Sequence, residues 1–143
     1  MRRTLWRAVS MVFVLGVALL GCNGPNRSNQ PSASSGFLLD VTLSPNTLRG
    51  ATANSGESQG GCGIIQVLVS DVNGRLIDGA LVTVTTTLGR FPPSGSRQES
   101  VGIAGFTTRG TLTDVLCAKA ERGTGILTAT VQDAVATTTF TVF

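Results

Sequence analysis

Residues 66–89, QVLVSDVNGRLIDGALVTVTTTLG, set the strongest limit on what this chain can fold into. Val67 and Val69 alternate with neighbours that face the other way, as the two-residue period of a strand requires. Asp71-Val72-Asn73-Gly74 then supplies turn chemistry. Asp and Asn side chains bond nearby backbone, and Gly74 can take positive φ without a steric cost. Gly79 closes a short connector, after which Val82, Val84 and Thr86 resume the alternation. β-branched residues at this period suit a half-buried antiparallel sheet and cannot serve a helix.

The pattern recurs along the chain. Phe37, Leu39, Val41 and Leu43 share one face of a first strand, which Ser44-Pro45-Asn46 ends. Residues 62–70 and 80–87 form the second and third strands. Residues 97–101 read as a short polar edge strand and 102–105 as a turn. Residues 105–116 read as a strand with Phe106, Thr108, Gly110 and Leu112 on one face. Residues 124–132 align Leu127, Ala129 and Val131, and 135–143 align Ala136, Phe140 and Val142. No helical period occurs after residue 21. Seven short strands at this spacing predict an all-β, two-sheet sandwich. Only 5% of the residues are aromatic, so the core has to rest on Val, Leu, Ile and Ala with Phe37, Phe91, Phe106, Phe140 and Phe143. Val67, Val69, Val82, Val84, Phe106, Leu127 and Phe140 are its expected centre. For Phe143 the alternative is an exposed partner anchor.

The N-terminus carries an address. Arg2, Arg3 and Arg7 lead into an apolar run, residues 8–20, broken only by Ser10 and Gly16. A spanning helix needs about 20 apolar residues, whereas an export-signal core has roughly 7–15. The run ends in Leu19-Leu20-Gly21-Cys22. This Leu-x-Gly-Cys box, in this position, resembles that of bacterial lipoprotein precursors. The resemblance implies cleavage before Cys22, a diacylglycerol on its sulfur, and, with Asn23 rather than Asp next, transport to the outer membrane. A plain secretory signal and an uncleaved anchor are the alternatives. The expected organisation is a cleaved helical signal peptide (1–21), a flexible linker from the lipidated cysteine (22–36) and one folded domain (37–143). The linker is rich in Asn, Ser, Pro and Gly and has too little apolar surface to repay ordering. It would hold the domain roughly 20 Å from the bilayer on average. Removing Arg2, Arg3 and Arg7 from the eleven Lys and Arg leaves eight, against eight Asp and Glu. The mature chain is neutral, and nothing supports a nucleic-acid partner, which needs a clustered basic face.

Residues 66–131 resemble a bacterial immunoglobulin-like domain of the invasin/intimin type. The family shows a strand, Asp-x-x-Gly, and a Gly before a Val-rich strand that ends in Thr and Gly; Asp71, Gly74, Gly79, Val82, Val84 and Gly89 match. Gly105, Leu112 and the run from Gly123 through Thr124, Gly125, Ile126, Leu127 and Thr128 to Ala129 resemble its second half. The chain departs from the family in a Leu76-Ile77 pair where Pro is usual, in a single copy, in a long Gly-rich loop and in two cysteines. The resemblance implies an immunoglobulin-like two-sheet β-sandwich of about seven strands and a structural or adhesin-like role.

The chemistry points away from catalysis. With no histidine there is no Ser-His-Asp or Cys-His site and no His-ligated zinc. The carboxylates are scattered, mostly beside turn residues. Asp71, Asn73 and Asp78 suggest calcium, but Arg75 sits where a calcium loop wants oxygen, so Asp71, Asn73, Gly74 and Gly79 are read as a turn motif and no metal is expected. The Gly-rich stretch 50–61 lacks the following helix or Gly-Lys-Ser/Thr ending of a phosphate loop. Thr85-Thr86-Thr87 and Thr137-Thr138-Thr139 offer hydroxyls to a sugar or an ice-like surface, or are strand residues on a wet face. No cofactor is implied. The expected protein is a non-enzymatic envelope lipoprotein whose partners are the membrane, through Cys22, and an envelope or surface protein. The alternative is a small-ligand or glycan-binding module, although the mature chain lacks the Trp or Tyr that usually stacks on sugars.

With Cys22 acylated, Cys62 and Cys117 are the cysteines left, in an oxidising compartment. In an immunoglobulin-like topology the strand that Cys62 opens and the strand that Cys117 closes lie side by side and antiparallel. A Cys62–Cys117 disulfide within one sheet or at its corner is expected. Two buried thiols, or a redox or metal site, are the alternatives, though neither Cys-x-x-Cys nor histidine accompanies them.

Overall fold

Where the sequence alternates, the backbone is extended. The computed structural model describes residues 36–51 and 60–143. The expected signal peptide, Cys22 and all but the last residue of the linker lie outside the described residues. The strands are β1 (Phe37–Ser44), β2 (Thr47–Leu48), β3 (Cys62–Asp71), β4 (Leu81–Thr86), β5 (Gly102–Phe106), β6 (Thr111–Cys117), β7 (Gly123–Val131) and β8 (Ala134–Val142). They form a three-stranded sheet ordered β1-β3-β6 and a five-stranded sheet ordered β2-β8-β7-β4-β5. Every pairing is antiparallel except that of β2 with β8. The fold is an all-β, two-sheet sandwich.

Burial follows the period of two. Leu39, Val41 and Leu43 of β1 turn inward, as do Ile65, Val67 and Val69 of β3 and Val82 and Val84 of β4. Leu127, Ala129 and Val131 of β7 and Ala136, Phe140 and Val142 of β8 complete the facing layer. β1 packs across the interior against β7 and β8. Most of these side chains are small, and burying each Val, Leu, Ile or Phe contributes roughly 1.5–3 kcal/mol before chain entropy is counted. Phe91 and Phe140 are the buried aromatics. Phe140 pairs with Gly125, where an added Cβ would come within 2.4 Å of its ring. The glycine gives the ring its place over the neighbouring strand.

The stretch 97–116 departs from expectation. Residues 97–101 form no strand; Arg97 and Ser100 make isolated bridges to Ser94 and Phe91. Residues 102–105, expected as a turn, belong to strand β5, which runs on to Phe106. Its glycines weaken local propensity, but pairing with β4 overrides it. The chain then crosses from the large sheet to the small one at residues 107–110. Phe106 and Leu112 therefore cannot share a face. Ile103 and Gly105 point inward, Leu112 fills the space over Gly105, and Phe106 faces out at 67% exposure. Its expected place in the core is wrong for this reason. Phe37 is only half-buried and Phe143 is exposed, so neither joins the centre. β2 was not foreseen: beyond the cis Ser44–Pro45 peptide the chain changes sheets, and Leu48 is buried beside β8.

Val84→Ala should cost on the order of 1–3 kcal/mol in a urea titration, since Val84 is fully buried. Thr85→Ala and Phe106→Ala, both on the outer face, should each cost about 0.5 kcal/mol or less. Equal losses at positions 84 and 85 would contradict the assigned faces.

Candidate functional site

Strands that run the length of the sandwich place the turns at two ends. One end gathers Phe37, the connector 71–80, the crossing at 107–110 and the β7–β8 turn. The other gathers Cys62, Cys117, residues 87–91 and Phe143.

At the first end, Asp71 Oδ1 accepts from the backbone N–H groups of Asn73 and Arg75, both at 2.9 Å. The Gly74 N–H donates to the Asp71 carbonyl at 2.9 Å. Gly74 and Gly79 take φ of 78° and 70°, a region open to glycine. Asp78 Oδ1 accepts from the Arg109 N–H at 2.8 Å. The two carboxylates thus serve backbone donors. Among the described residues no three His, Cys, Asp or Glu side chains converge as metal ligands. Thr107, which sequence reasoning missed, ties the connector to the crossing. Its buried hydroxyl donates to the Ile77 carbonyl (2.8 Å) and accepts from the Ala80 N–H (2.9 Å). One threonine among many strand threonines carries no signal for such a role. Phe37, Ile77, Asp78, Ala80, Leu81 and Val131 line an adjoining open depression of about 490 Å³.

At the other end Cys62 and Cys117 are register partners of β3 and β6 and form a disulfide. The bond lies within the three-stranded sheet. Both backbone groups of Cys117 are bonded to Arg90, so its pairing with Cys62 is the closer, non-hydrogen-bonded kind. Their α-carbons lie 4.0 Å apart, closer than the usual disulfide range that begins at about 4.4 Å. The ends of the Gly-rich stretch are held here too. The Gly50 and Ala51 N–H groups donate to Phe143 and Lys119 carbonyls, and the Gly60 N–H donates to that of Ala118.

Arg97 is a second residue that the sequence did not single out. Its Nη1 donates to Asp114 Oδ2 at 2.7 Å, and its Nη2 to Asp114 Oδ1 (3.2 Å) and the Pro92 carbonyl (3.0 Å). This fork clamps residues 91–100 against β6. Burial pushes the Asp114 carboxyl up, but the hydrogen bonds from Arg97 and the Val115 N–H, with the Arg97 charge, outweigh it. The carboxyl is held below its ordinary value.

The outer face of the five-stranded sheet is built of threonine. Thr83 lies opposite Thr130, Thr85 opposite Thr128, Thr128 opposite Thr137 and Thr124 opposite Thr141. Val135, Ile126, Ala104, Gly102 and the pair Leu81 and Phe106 take the other places, and no charged residue shares this face of β4, β7 and β8. Each triplet splits by strand parity. Thr85 and Thr87 are exposed, while Thr86 is buried with its hydroxyl on the Leu88 carbonyl. Thr137 and Thr139 face out, and Thr138 shares the inner side with Ala136 and Phe140.

Reducing the disulfide should lower stability by up to about 4 kcal/mol on the chain-entropy model for a separation of 55 residues. Guanidinium titration with and without reductant measures it; an unchanged midpoint would contradict a bond that constrains the unfolded chain. Asp114→Asn should destabilise at neutral pH by about 1–2 kcal/mol, through loss of a charged hydrogen-bonded pair. Because the folded-state pKa of Asp114 is depressed, its contribution is present above the unfolded value of about 3.9 and is lost as pH falls through the folded one. The gap between wild type and variant should therefore begin to narrow below about pH 4 and close once the pH is below the folded value.

No protein-family model matches the sequence, and no curated protein matches it. Among solved structures the chain is similar to part of a beta-glycosidase from Bacteroides vulgatus (TM-score 0.53, 14% identity, 73% of this chain). It is similar also to part of a glycosyl hydrolase family 2 member from Bacteroides cellulosilyticus (TM-score 0.50, 19% identity, 73% of this chain). The chain spans 14% of the length of each. At such identities the likeness is one of fold.

Proposed function

We propose that this protein is a non-enzymatic envelope lipoprotein of the outer membrane, in which a sandwich of the invasin/intimin immunoglobulin-like type serves as a structural or protein-interaction module. Cys22 carries the lipid, and residues 23–36 form the tether. The observation that supports this best is the path of the chain. It enters the sandwich at Phe37 at one end and reaches Val142 at the opposite end. Such a domain spans the distance between an N-terminal anchor and whatever meets its far end. That far end bears Arg49, Arg90, Lys119, Glu121 and Arg122, with ion pairs from Arg90 to Glu121 (3.9 Å) and from Lys119 to Glu99. Exposed charge of this kind suits the polar rim of a protein contact. One acyl chain holds a protein weakly, whereas two or more hold it stably.

The charge-free threonine face favours a second reading, a glycan-binding module. Two solved structures of similar fold are named as a beta-glycosidase and a glycosyl hydrolase family 2 member, which is compatible with that reading.

Cys22→Ser should release the protein from the membrane fraction or leave the precursor uncut; unchanged partition and processing would reject the anchor. Cross-linking of the anchored protein in intact envelopes separates the two readings. A stoichiometric protein partner supports the first, and enrichment on glycan arrays without such a partner supports the second.

A further inference from the structure

The chain enters the sandwich at the end where Phe37 stands, and that end exposes four large apolar side chains. Phe106 and Leu81 are cross-strand neighbours on the outer face, 67% and 53% exposed. Val72 at the tip of the 71–74 turn is 63% exposed and Leu76 in the connector 49%. Leu81 and Phe37 border the depression of about 490 Å³. Ile64, Val101 and Phe143 are exposed elsewhere, but they border neither this depression nor the tether.

We infer that this end of the sandwich docks on the bilayer that holds the lipid of Cys22, with Phe106, Leu81, Leu76 and Val72 as its inserting side chains. The inference rests on the lipoprotein reading above. Residues 22–36 join the domain at this end, and a polar tether of that length keeps it roughly 20 Å from the anchor on average. At such a distance the effective concentration of bilayer is high, so a contact too weak to hold a free protein suffices. Electrostatics do not drive the contact. Asp71, Asp78 and Asp133 offset Arg75 and Arg109 at this end, and the first two carboxylates accept from backbone N–H groups. Arg75 and Arg109 have stems long enough to lie along an interface with the guanidinium in water. The far end, with the disulfide and Phe143, then faces away from the membrane.

The mature chain has no tryptophan, because Trp6 leaves with the signal segment. Phe106→Trp therefore places a single reporter at the apolar end, and Phe143→Trp places one at the other. Both are exposed sites where the larger ring has room. Each variant, purified as the full processed lipoprotein, is reconstituted into phosphatidylcholine vesicles with and without brominated acyl chains. Emission from position 106 is expected to shift to the blue and to be quenched by brominated lipid, and that from 143 to do neither. Adding phosphatidylglycerol should leave both unchanged. Adding Leu81→Ser to the Phe106→Trp variant should weaken the quenching. Unshifted, unquenched emission from 106 on a chain that stays with the vesicles overturns the docking and leaves the anchor intact. Blue-shifted but unquenched emission also overturns it, and assigns the end to a second copy of the chain. A precursor whose processing leaves Cys22 without lipid, read by mass before reconstitution, overturns the anchor reading and the docking with it.

Discussion

β3 lies between β1 and β6, and its pairing sets the phase of the smaller sheet. Val67 faces Val41 on one side and Leu112 on the other. A slip of one residue would turn Ile65, Val67 and Val69 to water and bring Ile64, Gln66 and Leu68 inside. Two local devices oppose that slip. The Cys62–Cys117 bond pins one end of the β3–β6 pair. At the other end the Asp71 turn folds back, and the Ile77 N–H donates to the Val69 carbonyl at 3.0 Å. With β3 fixed, the inner face of the small sheet presents an aliphatic surface, and the larger sheet packs on it.

The sides of the sandwich are closed by segments with little regular structure. Residues 90–100 run between β6 and β5, where Phe91 is fully buried and Arg97 reaches back to Asp114. Thr107 performs a comparable task at the Phe37 end with neutral groups. Both are polar anchors under loops, and both satisfy backbone carbonyls that would otherwise be lost to water at the rim. A domain with few aromatics gains order from such contacts at its rim.

Much of the fold was legible because alternation is a direct image of burial. β1, β3, β4, β7 and β8 were placed within a residue or two of where they lie, since each carries branched residues on its inner face. The disulfide was legible from compartment and topology together. What failed was local. GIAGF at 102–106 has the glycines of a turn, and only pairing with β4 makes it a strand. Phe106 was grouped with Leu112 because nothing in residues 107–110 announces a change of sheet. Thr107, Arg97 and Asp114 were invisible because their partners are distant in sequence and are backbone or single charges. Parity also settled a point that composition left open: the middle threonine of each triplet faces inward and the two beside it face out. Residues 1–35 and 52–59 lie outside the described residues, so the anchor rests on the Leu-x-Gly-Cys box.

The central claim joins that anchor to this sandwich, and one measurement addresses both. Top-down mass spectrometry of the protein extracted from envelopes without reduction reads the first residue, its modification and the state of both remaining cysteines. The expected result is a chain that begins at Cys22, carries diacylglycerol there, and has Cys62 joined to Cys117. An unmodified chain that begins at Met1, or at any residue other than Cys22, would contradict it.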